Sequence, residues 1–197
     1  MRLTPWLLTS LIAGTLISTL TPQSPFTLAA QAQAEATDDR PAGTPPPLPE
    51  GFKTYALPGS FSIQVPEAWV AVGSEAEQYA VITNFEADLD RIPQPSDIKT
   101  EVWFTAETAD TAVNNSIQAI INNGYAVNRY RQVDVNQLRA LRLWLVDLPL
   151  DYPNQVVTYI GYGTYGTAIL VTHYQTRDDE TTALIEQVHD SFGLLFQ

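Results

Sequence analysis

Cysteine is absent from all 197 residues. That excludes a disulfide framework, a cysteine-ligated zinc or iron–sulfur centre, a thiol nucleophile and a lipidated cysteine anchor. Basic side chains are scarce: ten Lys and Arg stand against 22 Asp and Glu, a formal net charge of −12. Such a surface repels phosphate backbones and argues against nucleic acid as a partner. Charged residues make up only 16% of the chain and hydrophobic ones 45%, so everything beyond the N-terminal quarter can build a core. There is no G-x-S-x-G elbow, and neither histidine sits in a pattern that would mark a triad. The expectation is a protein that is not an enzyme.

No acid precedes Glu35, and the only charge before it is Arg2. An uncharged run from Trp6 to Leu20 follows, then Pro22 and Pro25, then the small-residue string Leu28-Ala-Ala-Gln-Ala-Gln-Ala-Glu-Ala36. This is the order of a secretory signal, with cleavage expected after Ala32 or Ala34. The run is shorter than the ~20 residues of a spanning helix, and hydroxyl side chains dilute it. No twin arginine is present, which points to the general secretory route. Residues 1–34 are read as signal peptide. Their removal leaves nine basic residues against 22 acidic ones. Residues 35–50 contain Pro45, Pro46, Pro47 and Pro49 and read as an extended, proline-rich tether.

Residues 51–197 read as one α+β domain. Phe61, Ile63 and Val65 alternate with Ser62 and Gln64, the pattern of a half-buried strand. Short strands are expected over 69–72 and 79–83, and Ile98, Thr100, Val102 and Phe104 share one face of another. The period then shifts to 3.6: Ala109, Ala112, Val113, Ser116, Ile117, Ile120 and Ile121 form the stripe of a helix over 108–123, stopped at Gly124. Two hairpins follow, with strands near 125–135 and 138–147 bending at Asn136-Gln137, and near 156–162 and 167–174. A helix from 178 to 192 closes the chain. Short links demand antiparallel neighbours, so the expectation is an antiparallel sheet of six or seven strands flanked by at least two helices.

Gly59-Ser-Phe-Ser-Ile-Gln-Val-Pro-Glu-Ala-Trp69 opens this order of elements and Val188-His-Asp-Ser-Phe192 ends it. Over about residues 52–195 the sequence resembles the PsbP-like superfamily. The resemblance implies an α-β-α sandwich, usually without catalytic activity. It also implies a place in the thylakoid lumen or periplasm, and a role in assembling or stabilising a membrane-associated complex, photosystem II with its oxygen-evolving centre. The absence of a cysteine for lipid attachment favours a soluble paralogue, expected as a monomer. The alternative reading is a periplasmic small-ligand or metal-binding module.

Four side-chain groupings are candidates for function. Gly161-Tyr-Gly-Thr-Tyr-Gly166 matches G-x-G-x-x-G, but a strand-like segment follows it, so its glycines read as turn positions rather than a dinucleotide cradle. Glu186, His189 and Asp190 lie at i, i+3 and i+4, opposite the Leu184, Ile185 and Val188 stripe, and offer a zinc surface. Glu86, Asp88 and Asp90 alternate in a loop whose oxygens suit calcium, without the EF-hand pattern or its glycine. With a two-residue turn at Asn136-Gln137, Arg129 pairs with Trp144 and Arg131 with Arg142 on one sheet face, while Arg139 meets Asp134 on the other. Like charges facing each other destabilise a strand pair. This cluster of Arg129, Arg131, Arg142 and Trp144 is either neutralised by the protein's own acids or docks an acidic partner. His173 reads as a hydrogen-bonded structural residue. No cofactor is assigned beyond the possible zinc or calcium.

Overall fold

The computed structural model of the chain describes residues 46–86 and 92–195. The expected signal segment, both cleavage positions, most of the tether, and Asp88 and Asp90 of the acidic loop lie outside the described residues.

Among the described residues ten strands and two helices follow one another: β1 (Phe52–Leu57), β2 (Phe61–Pro66), β3 (Val70–Ser74), β4 (Tyr79–Thr83), β5 (Ile98–Thr105), α1 (Ala109–Asn122), β6 (Val127–Val135), β7 (Leu138–Leu145), β8 (Asn154–Gly161), β9 (Thr167–Tyr174), α2 (Asp179–Asp190) and β10 (Gly193–Leu194). Seven strands form one sheet in the order β3-β4-β5-β9-β8-β7-β6, every pair antiparallel. The expected α+β architecture is therefore present, with a helix packed on each face.

Period-2 alternation decides which residues go to which helix. Val102, Trp144, Val156, Ile160 and Leu170 pack with Ile185, Val188 and Phe192 on the α2 side. Leu143, Leu145, Val157, Tyr159 and Ile169 pack with Ala112 on the α1 side. The hydroxyl of Thr108 caps α1 by accepting from the Thr111 N–H, and Gly124 follows its end at φ 73°. Ile121, expected in the buried stripe, is exposed instead. The side chain of Asp178 caps α2 by accepting from the Thr181 N–H at 2.6 Å.

A second sheet, β1-β2-β10, was not expected. It adds to the α2-side core through Phe61, Ile63 and Val65, and the Phe61 and Phe192 rings lie 5.4 Å apart. This corrects the half-buried reading of β2, whose Ser62 and Gln64 are buried as well. Gln64 donates its side-chain amide to the Pro46 carbonyl at 2.6 Å and its backbone N–H to Ser191 Oγ at 2.8 Å. The end of the expected tether and the residue after α2 thus satisfy polar groups that would otherwise be costly to bury.

The β6–β7 hairpin turns at Asn136 and Gln137, φ 46° and 68°, the left-handed pair of a type I′ turn. Asn136 Nδ2 donates to the Phe192 carbonyl and ties this hairpin to the end of α2.

The glycine run is a turn, as expected. Gly161 ends β8, a single 3₁₀ turn spans Gly163–Tyr165, and β9 starts at Thr167. Gly166 sits at φ 131°, where a β-carbon would run into the Thr105 carbonyl and the Phe104 ring. Gly163, at φ 61°, faces open space. Gly166→Ala is expected to cost about 2 kcal/mol and Gly163→Ala about 1 kcal/mol, measured by denaturant midpoints. Equal costs would show that the close approach at Gly166 does not matter.

Candidate functional site

The register of the β6–β7 hairpin is the one expected: Arg129 lies opposite Trp144, Arg131 opposite Arg142 and Asp134 opposite Arg139, with a bulge between Val127 and Arg129. Alternation turns Arg129, Arg131, Arg142 and Trp144 toward the α2 side of the sheet. Their fates then diverge: Arg142 and Trp144 on β7 are buried, while Arg129 and Arg131 on β6 are exposed.

Arg142 is 1% exposed and cannot dock a partner, which corrects that part of the expected patch. Its Nη2 donates to Asp190 Oδ1 at 2.6 Å and its Nε to Thr158 Oγ1 at 2.9 Å. Here the protein's own acid neutralises the buried charge. Trp144 is also buried, and its indole N–H has no acceptor among the described residues. The Arg129 guanidinium stacks over this indole at 3.8 Å from the ring centroid and lies 3.5 Å from a Glu186 oxygen. About half of the Arg129 side chain remains exposed. Arg131 is exposed and makes no ion pair among the described residues.

The expected zinc surface is not assembled. Glu186 faces Arg129 and Asp190 faces Arg142, while His189 is fully buried rather than exposed. The buried arc of α2 is wider than the Leu184, Ile185 and Val188 stripe and takes in His189. Both its nitrogens are used: Nδ1 lies 2.8 Å from Thr158 Oγ1, and Nε2 lies 2.8 Å from Thr172 Oγ1, which in turn lies 2.7 Å from Thr100 Oγ1. A polar chain thus runs from Asp190 through Arg142, Thr158, His189 and Thr172 to Thr100, crossing β7, β8, β9 and β5 beneath α2. Burial first, and the Arg142 charge second, push the His189 pKa well below its ordinary value. The imidazole is neutral at pH 7, with one donor and one acceptor nitrogen, and hydroxyls on both sides can match either tautomer. Among the described residues no three His, Cys, Asp or Glu side chains are grouped to hold a metal.

A second polar cluster, absent from the sequence reading, lies on the opposite face of the sheet. Glu101 Oε2 meets His173 Nε2 at 3.0 Å, and Glu101 Oε1 accepts from the Tyr79 hydroxyl at 2.9 Å and from Lys99 Nζ at 3.4 Å. Gln155 Nε2 lies 3.2 Å from His173 Nδ1. Burial alone would raise the Glu101 carboxyl. His173, Lys99 and the Tyr79 hydroxyl outweigh it and hold the pKa at about 2. Burial, then the nearby Glu101 charge, raise the Tyr79 hydroxyl, which stays protonated as the donor. His173 is hydrogen-bonded, as expected. The one available signal was Glu101 itself, a carboxylate on the strand face opposite Thr100 and Val102.

No family model matches the chain. No curated protein matches its sequence. Among solved structures, the chain is similar to the solution structure of cyanobacterial PsbP (CyanoP) from Synechocystis sp. PCC 6803. The TM-score is 0.48 and the identity 11%, over 77% of this chain and 98% of that one. It is also similar to the crystal structure of a protein of unknown function from Pseudomonas aeruginosa, with a TM-score of 0.40 and 10% identity, over 71% of this chain and 94% of that one.

Proposed function

We propose that this is an exported, non-enzymatic accessory protein whose β6 strand docks on an acidic surface of a membrane-associated complex. The observation that carries this reading is the state of the two β6 arginines. In a chain rich in acid, Arg142 and Arg129 each have a carboxylate partner, while Arg131 is exposed with no ion pair among the described residues and Arg129 is only half covered. The docking patch is therefore Arg131 with the outer flank of Arg129, held in place by Trp144. Arg142 serves as its buried foundation. The sequence resemblance makes photosystem II the first complex to test. The metal-module alternative loses support, because its zinc residues are engaged in structural bonds.

The test is a low-salt pull-down from membranes with the full chain, comparing wild type, Arg129→Glu/Arg131→Glu, and Arg139→Glu on the opposite face. The Arg129–Glu186 pair is exposed and contributes under about 1 kcal/mol, so the double variant should stay folded. The expected result is a partner complex retained by wild type and by Arg139→Glu, lost in the double variant, and weakened for wild type by added salt. Identical partner lists for all three would overturn the reading.

A further inference from the structure

We infer that the acidic partner of this patch is an extended segment that adds to the sheet as a strand along β6, with carboxylates at alternate positions facing Arg129 and Arg131. This rests on the docking function proposed above and names its mode.

Three observations carry it. First, the two ends of the large sheet differ. β3 has five residues, and its Gly73 leaves room for Tyr55 and Leu57 of β1 to pack against it. β6 has nine residues, ends the strand order, and is exposed at every residue from Asn128 to Gln132, on both faces. A long terminal strand presents outward N–H and C=O groups as a template for another strand.

Second, the side-chain spacing fits. Arg129 and Arg131 are two residues apart on one face, about 7 Å along the strand. An added strand sets its own alternate residues beside them at pair distance. Carboxylates there would supply the ion pair that Arg131 does not make among the described residues. The bulge between Val127 and Arg129 breaks the ladder at that end, so the added strand is confined to residues 129–135.

Third, charge selects the occupant. A second copy of β6 pairing antiparallel about this exposed stretch sets arginine against arginine, which is unfavourable. The opposite sign is required, and the strand must therefore come from an acidic partner.

The probe is a ten-residue synthetic peptide with glutamate at alternate positions and threonine or valine between, measured against the full chain by fluorescence anisotropy and amide hydrogen exchange. Two controls are the same peptide with N-methylated backbone amides on its pairing edge and a version with lysine for glutamate. The expected result is saturable binding of the glutamate peptide, new exchange protection confined to residues 129–135, and loss of both with either control. Arg131→Glu alone, a change at an exposed side chain, should weaken binding by about tenfold or more. Binding that survives N-methylation, no added protection on β6, or no binding at all would overturn strand addition. In the last two cases the arginines act as a guard against edge pairing. If the membrane pull-down still depended on Arg129 and Arg131, the docking function would stand and only its mode would fall.

Discussion

Asp190→Ala should lower stability by about 3 kcal/mol, a fall in melting temperature near 10 °C. This is out of proportion to a half-exposed carboxylate at the end of a helix. The reason lies on the other side of the pair. Arg142 is 1% exposed, cannot lose its proton, and has Asp190 as its countercharge at 2.6 Å. With the carboxylate gone, Thr158 Oγ1 is its remaining hydrogen-bond partner, and a neutral hydroxyl does not balance a buried cation. The cost is that of an uncompensated charge, not the net worth of the pair.

The converse substitution separates these quantities. Arg142→Met removes the charge and keeps most of the volume, so it should cost only about 1 kcal/mol. Thr158 then keeps His189 as a partner. Adding Asp190→Ala to Arg142→Met should change little further. The cycle therefore predicts a coupling of about 3 kcal/mol, readable from denaturant midpoints of the four proteins. Additive costs would mean that Arg142 is hydrated in solution and that the buried pair does not form.

The same hairpin shows what sequence can and cannot convey. Its register, its turn and the facing of Arg129 on Trp144 follow from local rules: two residues of left-handed backbone at Asn136 and Gln137, then strict alternation. The helix over 108–123 and its stop at Gly124 were legible for the same reason. Which of two facing arginines goes inside was not, because that depends on where α2 lies, and α2 is 37 residues downstream of Arg142 at its first residue. His189 fails in the same way. Helical spacing groups it correctly with Glu186 and Asp190, but the width of the buried arc is set by the sheet beneath, where Thr158 and Thr172 await its nitrogens. β1 shows no period of its own in Phe52-Lys-Thr-Tyr-Ala-Leu57 and becomes a strand by pairing with β2. Gln64 looked like the solvent side of an alternating strand, yet its backbone partner Ser191 is 127 residues away. The Glu101 cluster draws on β4, β5, β8 and β9, so no single segment announces it.

The buried chain beneath α2 also makes the fold acid-sensitive at an unusually mild pH. His189 faces Thr158 on β8 and Thr172 on β9, with the Arg142 cation on β7 and Asp190 on its own helix as the charged groups nearby. Its folded-state pKa is depressed, while in the unfolded chain it returns to about 6.5. Below that pH the unfolded state binds a proton that the folded state refuses. Stability is therefore fully present above pH 6.5 and declines as pH falls below it, with a limiting slope of about 1.4 kcal/mol per pH unit. Glu101 acts in a separate, lower window. Its carboxyl is held at about 2 when folded, so its contribution is present above the unfolded value near 4.5 and fades as pH drops toward 2. The urea-midpoint difference between wild type and His189→Gln, followed from pH 7.5 to 5, isolates the first group. Relative to His189→Gln, which retains hydrogen bonding without a titrating ring and should start less stable, wild type should lose about 2 kcal/mol over that range. Glu101→Gln should leave this slope untouched and flatten only the region below pH 4.5. A difference between wild type and His189→Gln that stays constant from pH 7.5 to 5 would show that the imidazole is not sealed by the threonines and arginine around it.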